Sequence, residues 1–351
     1  MRIGLLKQRL PWPFRPTHTA LVPAVSVVVP VFGTEDYLAD CLASLLRQSF
    51  REIEVIVVDD ASPGDVGGIV ARVAGRDSRV KMVRHAENQG ALMARLTGSR
   101  AAIGAYIAFV DSDDLVEDRF IELLHAAATQ HDADLVQCAM TMVEADGKSR
   151  YLNRGGSAHV LHGLSVLAEL LDGKMSNSVS NKLIRKTCWH AAISGLSAEC
   201  GKIDFGEDLL CLFFVAAYSK AYVHIADAVY HYVPRAGSIT KQKTEDSLVC
   251  RIRDLNRIFE TISPLLRASG EPEELKARFF QREFLDVVQR AFDCAGRCNA
   301  TDANDGPRDL GLLGSIVATK LGKHARAARS SEAGSPYQTP VAARAGSPKE
   351  P

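Results

Sequence analysis

The chain has 351 residues, 46% of them hydrophobic and 24% charged, which suits a soluble globular protein with one large α/β domain and an appendage. Its 42 lysines and arginines balance 42 aspartates and glutamates, so no net field draws in nucleic acid, and no nucleic-acid partner is expected. No stretch is long and apolar enough to cross a bilayer. The eight cysteines fall in no paired zinc spacing and are expected as buried free thiols.

Residues 1–23 set Arg2, Lys7, Arg9 and Arg15 among Leu, Trp and Phe, but Pro11, Pro13 and Pro16 break any helix there. A flexible leader is expected, with a weak interfacial anchor as the alternative. The segment lacks the apolar core and cleavage site of a signal peptide, which predicts a cytoplasmic location. From Val25 short apolar runs alternate with amphipathic stretches. VSVVVPV (25–31) reads as a strand covered on both faces. Tyr37, Leu38, Cys41, Leu42, Leu45 and Leu46 then recur at helical spacing. IEVIVVDD (53–60) is a second buried strand, followed by a helix over 64–76 and the strand VKMV (80–83). A helix through Gln89–Ala102 leads to AYIAFV (105–110), which runs into Asp111-Ser112-Asp113-Asp114. This order predicts an open, mostly parallel sheet with helices on both faces.

Further along, a helix is expected over 117–131, a strand over 134–143, a polar turn at Asp146-Gly147 and a helix over 162–172. After the NKLIRK segment (181–186) come a helix over 206–219, a strand-like run over 221–233, and amphipathic helix from 244 to 298. Residues 329–351 lack periodicity and are expected to be disordered.

Ligands of open α/β sheets sit outside the carboxyl ends of the strands. Polar residues gather at three such ends: after Pro30-Val31-Phe32, at Asp59-Asp60, and at Asp111-Ser112-Asp113-Asp114. Asp59-Asp60-Ala61-Ser62 could be simply an Asx-turn capping the next helix. In an extended segment Asp111 and Asp113 would face one side, and hard carboxylates there suit Mg²⁺ or Mn²⁺ together with substrate phosphates. No phosphate-cradling glycine loop of either common type is present. Glu207 and Asp208 head an apolar helix, where the helix dipole favours negative charge; that alone could account for them. His231, alternating within an apolar run, reads as a packed histidine before a ligand.

In order, VSVVVPVFGTEDYLADCLASLLRQSF, IEVIVVDDAS, ENQGALMAR, GAYIAFVDSDD, NKLIRK, FGEDLL and YHYVPRAGSIT resemble the family 2 glycosyltransferases over residues 25–240. The resemblance implies a GT-A fold: an α/β, Rossmann-like, mostly parallel open sheet with a helical C-terminal extension. It divides the chain into a leader (1–23), a catalytic domain (24–240), a helical extension (241–328) and a tail (329–351). By the same resemblance Pro30, Val31 and Phe32 border the base pocket, and Asp60, with Asp59 beside it, reads the base, as a carboxylate could accept the imide N–H of uracil or thymine. Arg95 contacts base or diphosphate. Asp111 and Asp113 hold Mn²⁺ or Mg²⁺, Ser112 and Asp114 help place the donor, and Asp208 is the general base. Arg235 and Ser238 close over the diphosphate.

Such an enzyme moves a sugar, with inversion, from a nucleotide-sugar donor, expected to be a UDP-sugar, to a glycan or lipid-linked acceptor. It works in the cytoplasm or peripherally at the inner face of the membrane. One departure stands out: the family often has Asn after the helix arginine, whereas here Leu96 follows Arg95. A nucleotidyltransferase would want a glycine- and arginine-rich loop after the first strand, which FGTEDY does not supply. The alternative from another class is a catalytically silent nucleotide-sugar binder or scaffold. The donor sugar, acceptor and oligomeric state are not encoded in these motifs.

Overall fold

The computed structural model describes residues 22–143, 149–153, 157–194, 196, 202–235 and 245–289. Ser238, the turn at Asp146-Gly147, the predicted tail and nearly all of the predicted leader lie outside the described residues.

The apolar runs form one half of the sheet. Strands β1 (Val25–Val31), β2 (Ile53–Asp59), β3 (Val80–Arg84) and β4 (Tyr106–Phe109) pair in parallel in the order β3-β2-β1-β4. β2 is buried along its whole length and β1 at all but Pro30, because helices cover both faces and leave no face for polar alternation. On one face α1 (Glu35–Leu46), α2 (Val66–Ala74) and α4 (Phe120–Gln130) supply Leu38, Leu42, Leu45, Val66, Val70, Phe120 and Leu124 against Val25, Val27 and Val29. On the other, α3 (Ala91–Ala101) lies so close to the strands that a Cβ on Gly98 would sit 2.3 Å from Val28 Cγ1. The glycine is what permits that approach.

Past β4 the sheet changes character. β9 (Lys182–Arg185) inserts antiparallel between β4 and β6 (Leu135–Val143). β10 (Ala221–Tyr232) runs parallel to β6, and the two-residue β5 (Leu115–Val116) pairs antiparallel with its end. β7 (Ser149–Asn153) and β8 (His159–His162) pair with β6 and β10. The NKLIRK segment thus supplies the strand that carries the sheet past its parallel half.

The helices α5 (Leu164–Leu171), α6 (Lys186–Ile193) and α7 (Glu207–Tyr218) complete the second half. Phe109 of β4 packs on Trp189 of α6 with ring centroids 4.6 Å apart. The amphipathic stretch after Thr244 is interrupted: α8 (Glu245–Ala268) ends before Gly270, which takes φ +75°, and α9 (Glu273–Phe280) starts after Pro272. Glycine in the left-handed region and proline at a helix start are strong local stop and start signals. Phe259 and Phe279 join α8 and α9 with centroids 5.7 Å apart, and Phe213 brings α7 into the same cluster, 6.3 Å from Phe279. The described elements all fall within one unit of the chain, 1–295.

Candidate functional site

The parallel strands β1, β2 and β4 open their carboxyl ends on one edge of the sheet, where the acidic clusters meet. Asp59, fully buried, accepts the Ser62 amide on Oδ1 at 2.8 Å and faces Arg84 Nε at 3.3 Å through Oδ2. It closes the strand-end turn, while α2 is capped separately by Asp65, which accepts the Gly68 amide. Asp60 has a different task. Its Oδ1 meets His85 Nδ1 at 2.6 Å and the Gln89 amide at 2.9 Å, and its Oδ2 accepts the Gly90 amide at 2.8 Å. His85 Nε2 in turn reaches the Thr97 hydroxyl at 2.8 Å. Asp60 therefore ties the end of β2 to the start of α3, and Gly90, at φ +90°, lets the chain turn into that contact. Val31 is buried and Phe32 half exposed beside them, and Pro30 pairs with Val58 across the sheet.

The Asp-Ser-Asp-Asp segment is a turn rather than an extended run, because the Asp114 amide folds back onto the Asp111 carbonyl at 3.0 Å. Its four side chains diverge. Asp111, about a third exposed at 34%, meets Arg95 Nη2 on Oδ1 at 3.1 Å and accepts the Ser180 hydroxyl on Oδ2 at 2.8 Å. Ser112 is buried and shares a hydrogen bond with Thr34. Asp113 pairs with Arg235 Nε. Asp114 is buried, accepts the Tyr230 hydroxyl at 2.7 Å and the Val233 amide at 2.9 Å, and so fastens the end of β10 to the turn. Burial and then the charges of Asp111 and Asp113 push the Asp114 carboxyl well above the usual range. Asp113 is raised by burial and by Asp111, with Arg235 opposing.

Arg95 is the centre of the arrangement. Its guanidinium is only 3% exposed, yet it reaches three carboxylates: Glu207 Oε1 at 3.0 Å and Asp208 Oδ1 at 2.9 Å through Nη1, and Asp111 through Nη2. Burial opposes its charge, but Asp208, Asp111 and Glu207 together outweigh burial and hold it firmly protonated. Asp208 Oδ1 makes no well-aligned hydrogen bond, so that contact is one of charge, while its Oδ2 accepts the Val179 amide at 3.2 Å. Burial raises the Asp208 carboxyl, and Arg95 pulls it back. Burial and the neighbouring Asp208 push Glu207 up to about 7 against the pull of Arg95. Leu96, where the family often has Asn, is buried in the core.

Two features went unread in the sequence. The loop before β9 supplies Val179 to Asp208 and Ser180 to Asp111, so it touches both acids. Lys182 is fully buried and donates to the carbonyls of Ser176 at 2.8 Å and Ser178 at 2.5 Å and to Asn181 Oδ1 at 3.0 Å. Burial lowers it to about 7 despite the attraction of Asp208. The available signal was a lysine next to the apolar pair Leu183-Ile184 and beside Asn181. His231, by contrast, is held between Thr141 at 2.7 Å and Glu117 at 2.6 Å, as a packed histidine would be.

Among the described residues no three histidine, cysteine or acidic side chains converge as a ready metal cage. The donor chemistry nevertheless fits a hard divalent ion. Asp111 and Asp113 are close enough for one to raise the other, and such ions bind through one or two carboxylates plus substrate phosphates.

Comparison with known proteins agrees with this geometry. Residues 26–188 match the family model described as glycosyl transferase family 2. Glycosyltransferase GlyG of Streptococcus pneumoniae is 30% identical over 265 residues, which cover 73% of this chain and 85% of GlyG. A shorter stretch of 129 residues is 38% identical to the uncharacterized glycosyltransferase EpsJ of Bacillus subtilis and spans 37% of each chain. Among solved structures, S. aureus TarS 1–349 in complex with UDP-GlcNAc superposes with TM-score 0.51 at 20% identity, covering 77% of this chain and 81% of that one. The mannosyltransferase PcManGT from Pyrobaculum calidifontis, in complex with GDP-Man and Mn²⁺, does so with TM-score 0.51 at 18% identity, covering 93% and 88%. The sheet is that of the GT-A fold, and the chain belongs to the family 2 glycosyltransferases.

Proposed function

We propose that the protein is an inverting, divalent-metal-dependent glycosyltransferase that moves a hexosyl or N-acetylhexosaminyl group from a UDP-sugar to a hydroxyl of a glycan or lipid-linked acceptor. The supporting observation is the shared guanidinium of Arg95, which brings Asp111 and Asp208 to the two terminal nitrogens of one buried cation. A donor-side carboxylate and an acid suited to proton abstraction then lie within the reach of one sugar.

In this reading Asp208 takes the proton from the acceptor hydroxyl, whose oxygen attacks the anomeric carbon opposite the departing diphosphate, so the configuration inverts. Its raised pKa makes it a stronger base than an ordinary aspartate. Asp111 and Asp113 would hold Mn²⁺ or Mg²⁺, which supplies positive charge to the diphosphate as the bond breaks. Arg235, here paired with Asp113, and Ser238 would close over the diphosphate. Asp60 reads the base: a carboxylate offers about four lone-pair sites, three are taken by His85, Gln89 and Gly90, and one is left for a ring imide N–H. Pro30, Val31 and Phe32 border that base, Asp59 shapes the turn beneath it, and Ser112 and Asp114 hold the metal-side turn in shape. In the same reading residues 24–240 would be the catalytic domain, and the stretch to 328, of which α8 and α9 are described, its extension. In this reading the enzyme works in the cytoplasm or peripherally at the inner face of the membrane.

A thermal-shift panel tests the donor half directly, because a ligand that binds only the folded state raises the melting temperature. UDP-GlcNAc, other UDP-sugars and GDP-mannose are applied with and without Mn²⁺ to the wild type and to Asp113→Ala. A Mn²⁺-dependent shift with a UDP-sugar, lost in the variant, is expected. A shift indifferent to Mn²⁺, or unchanged in Asp113→Ala, contradicts the metal assignment.

A further inference from the structure

Helix α8 lies beyond the residues matched by the family model, yet one of its faces grips the chain just before the two acids of α7. Arg251, Asp254, Leu255 and Ile258 follow the i, i+3, i+4, i+7 spacing of a single helical face. Asp254 is fully buried and accepts the Asp204 amide on Oδ2 at 2.9 Å. The Arg251 guanidinium lies 5.1 Å from the centroid of the Phe205 ring. Leu255 and Ile258 press on Gly206, where an added Cβ would meet Ile258 Cδ1 at 3.0 Å and Leu255 Cδ2 at 3.5 Å. Three successive residues, Asp204, Phe205 and Gly206, are thus held by one stripe of α8. The next two are Glu207 and Asp208.

A buried carboxylate is a costly way to pack a helix, since Leu255 and Ile258 on the same face already supply apolar contact. What an aspartate adds is a fixed acceptor for one backbone N–H, and Arg253 Nε at 3.2 Å from Oδ1 balances its charge. Gly206 completes the geometry. At φ +83° it turns the chain sharply into α7, a conformation that side chains oppose. Just before it, the same loop lies against the start of α3, where a Cβ on Gly90 would meet Lys202 Cγ at 3.3 Å and the Ile203 carbonyl oxygen at 3.6 Å. The loop thus touches the glycine whose amide binds Asp60 and then α8.

We infer that Asp254 is a positioning residue for the Glu207–Asp208 pair, and that α8, through its clamp on residues 204–206, is part of the catalytic apparatus. The inference rests on the role of Asp208 proposed above. It explains why a helix outside the sheet carries a buried acid aimed at a backbone amide one step from the site.

The test uses the full chain and compares Asp254→Ala, Asp254→Asn and Gly206→Ala with Asp208→Asn. Turnover is read as Mn²⁺-dependent release of UDP from UDP-GlcNAc or of GDP from GDP-mannose, whichever the wild type consumes. Amide exchange of the 203–210 segment is read without any substrate. Asp254→Ala should lower kcat about tenfold or more with donor KM within about threefold, and should speed exchange of the segment about tenfold. Asp254→Asn, which keeps an acceptor oxygen, should recover both to within about threefold. Gly206→Ala should show the same split of kcat from KM, which keeps the inference testable where Asp254→Ala does not fold. Wild-type exchange in a folded Asp254→Ala overturns the clamp whatever Asp208 does. Loss of kcat in Asp254→Ala without recovery in Asp254→Asn also counts against it. Full turnover in Asp208→Asn instead overturns the assignment of the base and leaves the exchange result standing.

Discussion

At Arg95 one buried guanidinium meets three carboxylates, and its removal should be felt in both stability and chemistry. Arg95→Met keeps much of the volume but leaves Asp111, Glu207 and Asp208 crowded and uncompensated. Breaking a buried pair in this way costs about 3–5 kcal/mol, so urea unfolding of Arg95→Met should show a loss of that size. A loss under about 1 kcal/mol would mean that the acids protonate or reach water instead. Asp208→Asn removes the proposed base but not the shape, so transfer should fall by about 10²–10⁴ while nucleotide affinity stays within a few-fold. Loss of turnover and binding together would contradict the assignment. The residue types at this site were legible in the sequence, since Asp60, Asp111, Asp113 and Asp208 stand at or near element ends, while Arg95, inside α3, was named through the family resemblance. Their partners were not. Nothing in the spacing said that Asp60 would bind His85, or that Asp114 would be spent on Tyr230 and Val233, because side chains that meet across 25 to 119 residues of sequence are set by how strands align.

Among the elements, those with strong periodicity or continuous apolar character were readable: β1, β2, β3, β4 and α1 to α4 fall where the hydrophobic pattern puts them. β5, β7, β8 and α6 escaped notice. They are two to eight residues long, too short to establish a period, and the strands among them exist because a neighbouring strand offers hydrogen bonds. α3 shows how an element's place depends on one residue. Gly98→Ala raises intrinsic helix propensity, yet its Cβ would sit 2.3 Å from Val28 and 3.1 Å from Val58. Overpacking of this kind costs about 1–3 kcal/mol, so thermal unfolding should show the variant destabilised despite the better helix former. A stabilised Gly98→Ala would mean that α3 can move off the sheet freely.

Over the whole molecule, the buried charges around Arg95 make stability depend on pH in two windows of opposite sign. Glu207 keeps its proton to about 7 when folded, against an ordinary value of 4.5. Folding therefore takes up a proton between those values, and the stability due to this group falls as pH rises through them. Lys182 loses its proton at about 7 when folded, against an ordinary 10.5. Folding releases a proton across that upper window, so the stability due to Lys182 rises with pH there. Between them the two groups contribute least near neutrality, where both charges are buried. The melting temperature of the wild type relative to Lys182→Met should accordingly climb between pH 7 and about 10. A difference that stays constant with pH would mean that Lys182 keeps its charge in the folded chain.

The sequence by itself determined the class of the fold, the order of its first seven elements, the identity of the acids at the strand ends and, through the resemblance of its motifs, the family. These follow from local causes: burial on both faces writes continuous apolar strands, helices write a 3.6-residue period, and ligand-facing acids stand where strands stop. Tertiary structure alone decided that β9 would run antiparallel between β4 and β6, that Lys182 would be buried behind Asp208, and that α8 would hold residues 204–206. The reason is physical. Register, burial of a charge and the meeting of helices depend on contacts between segments far apart in the chain, and local residue patterns carry no record of which distant surface will supply the partner.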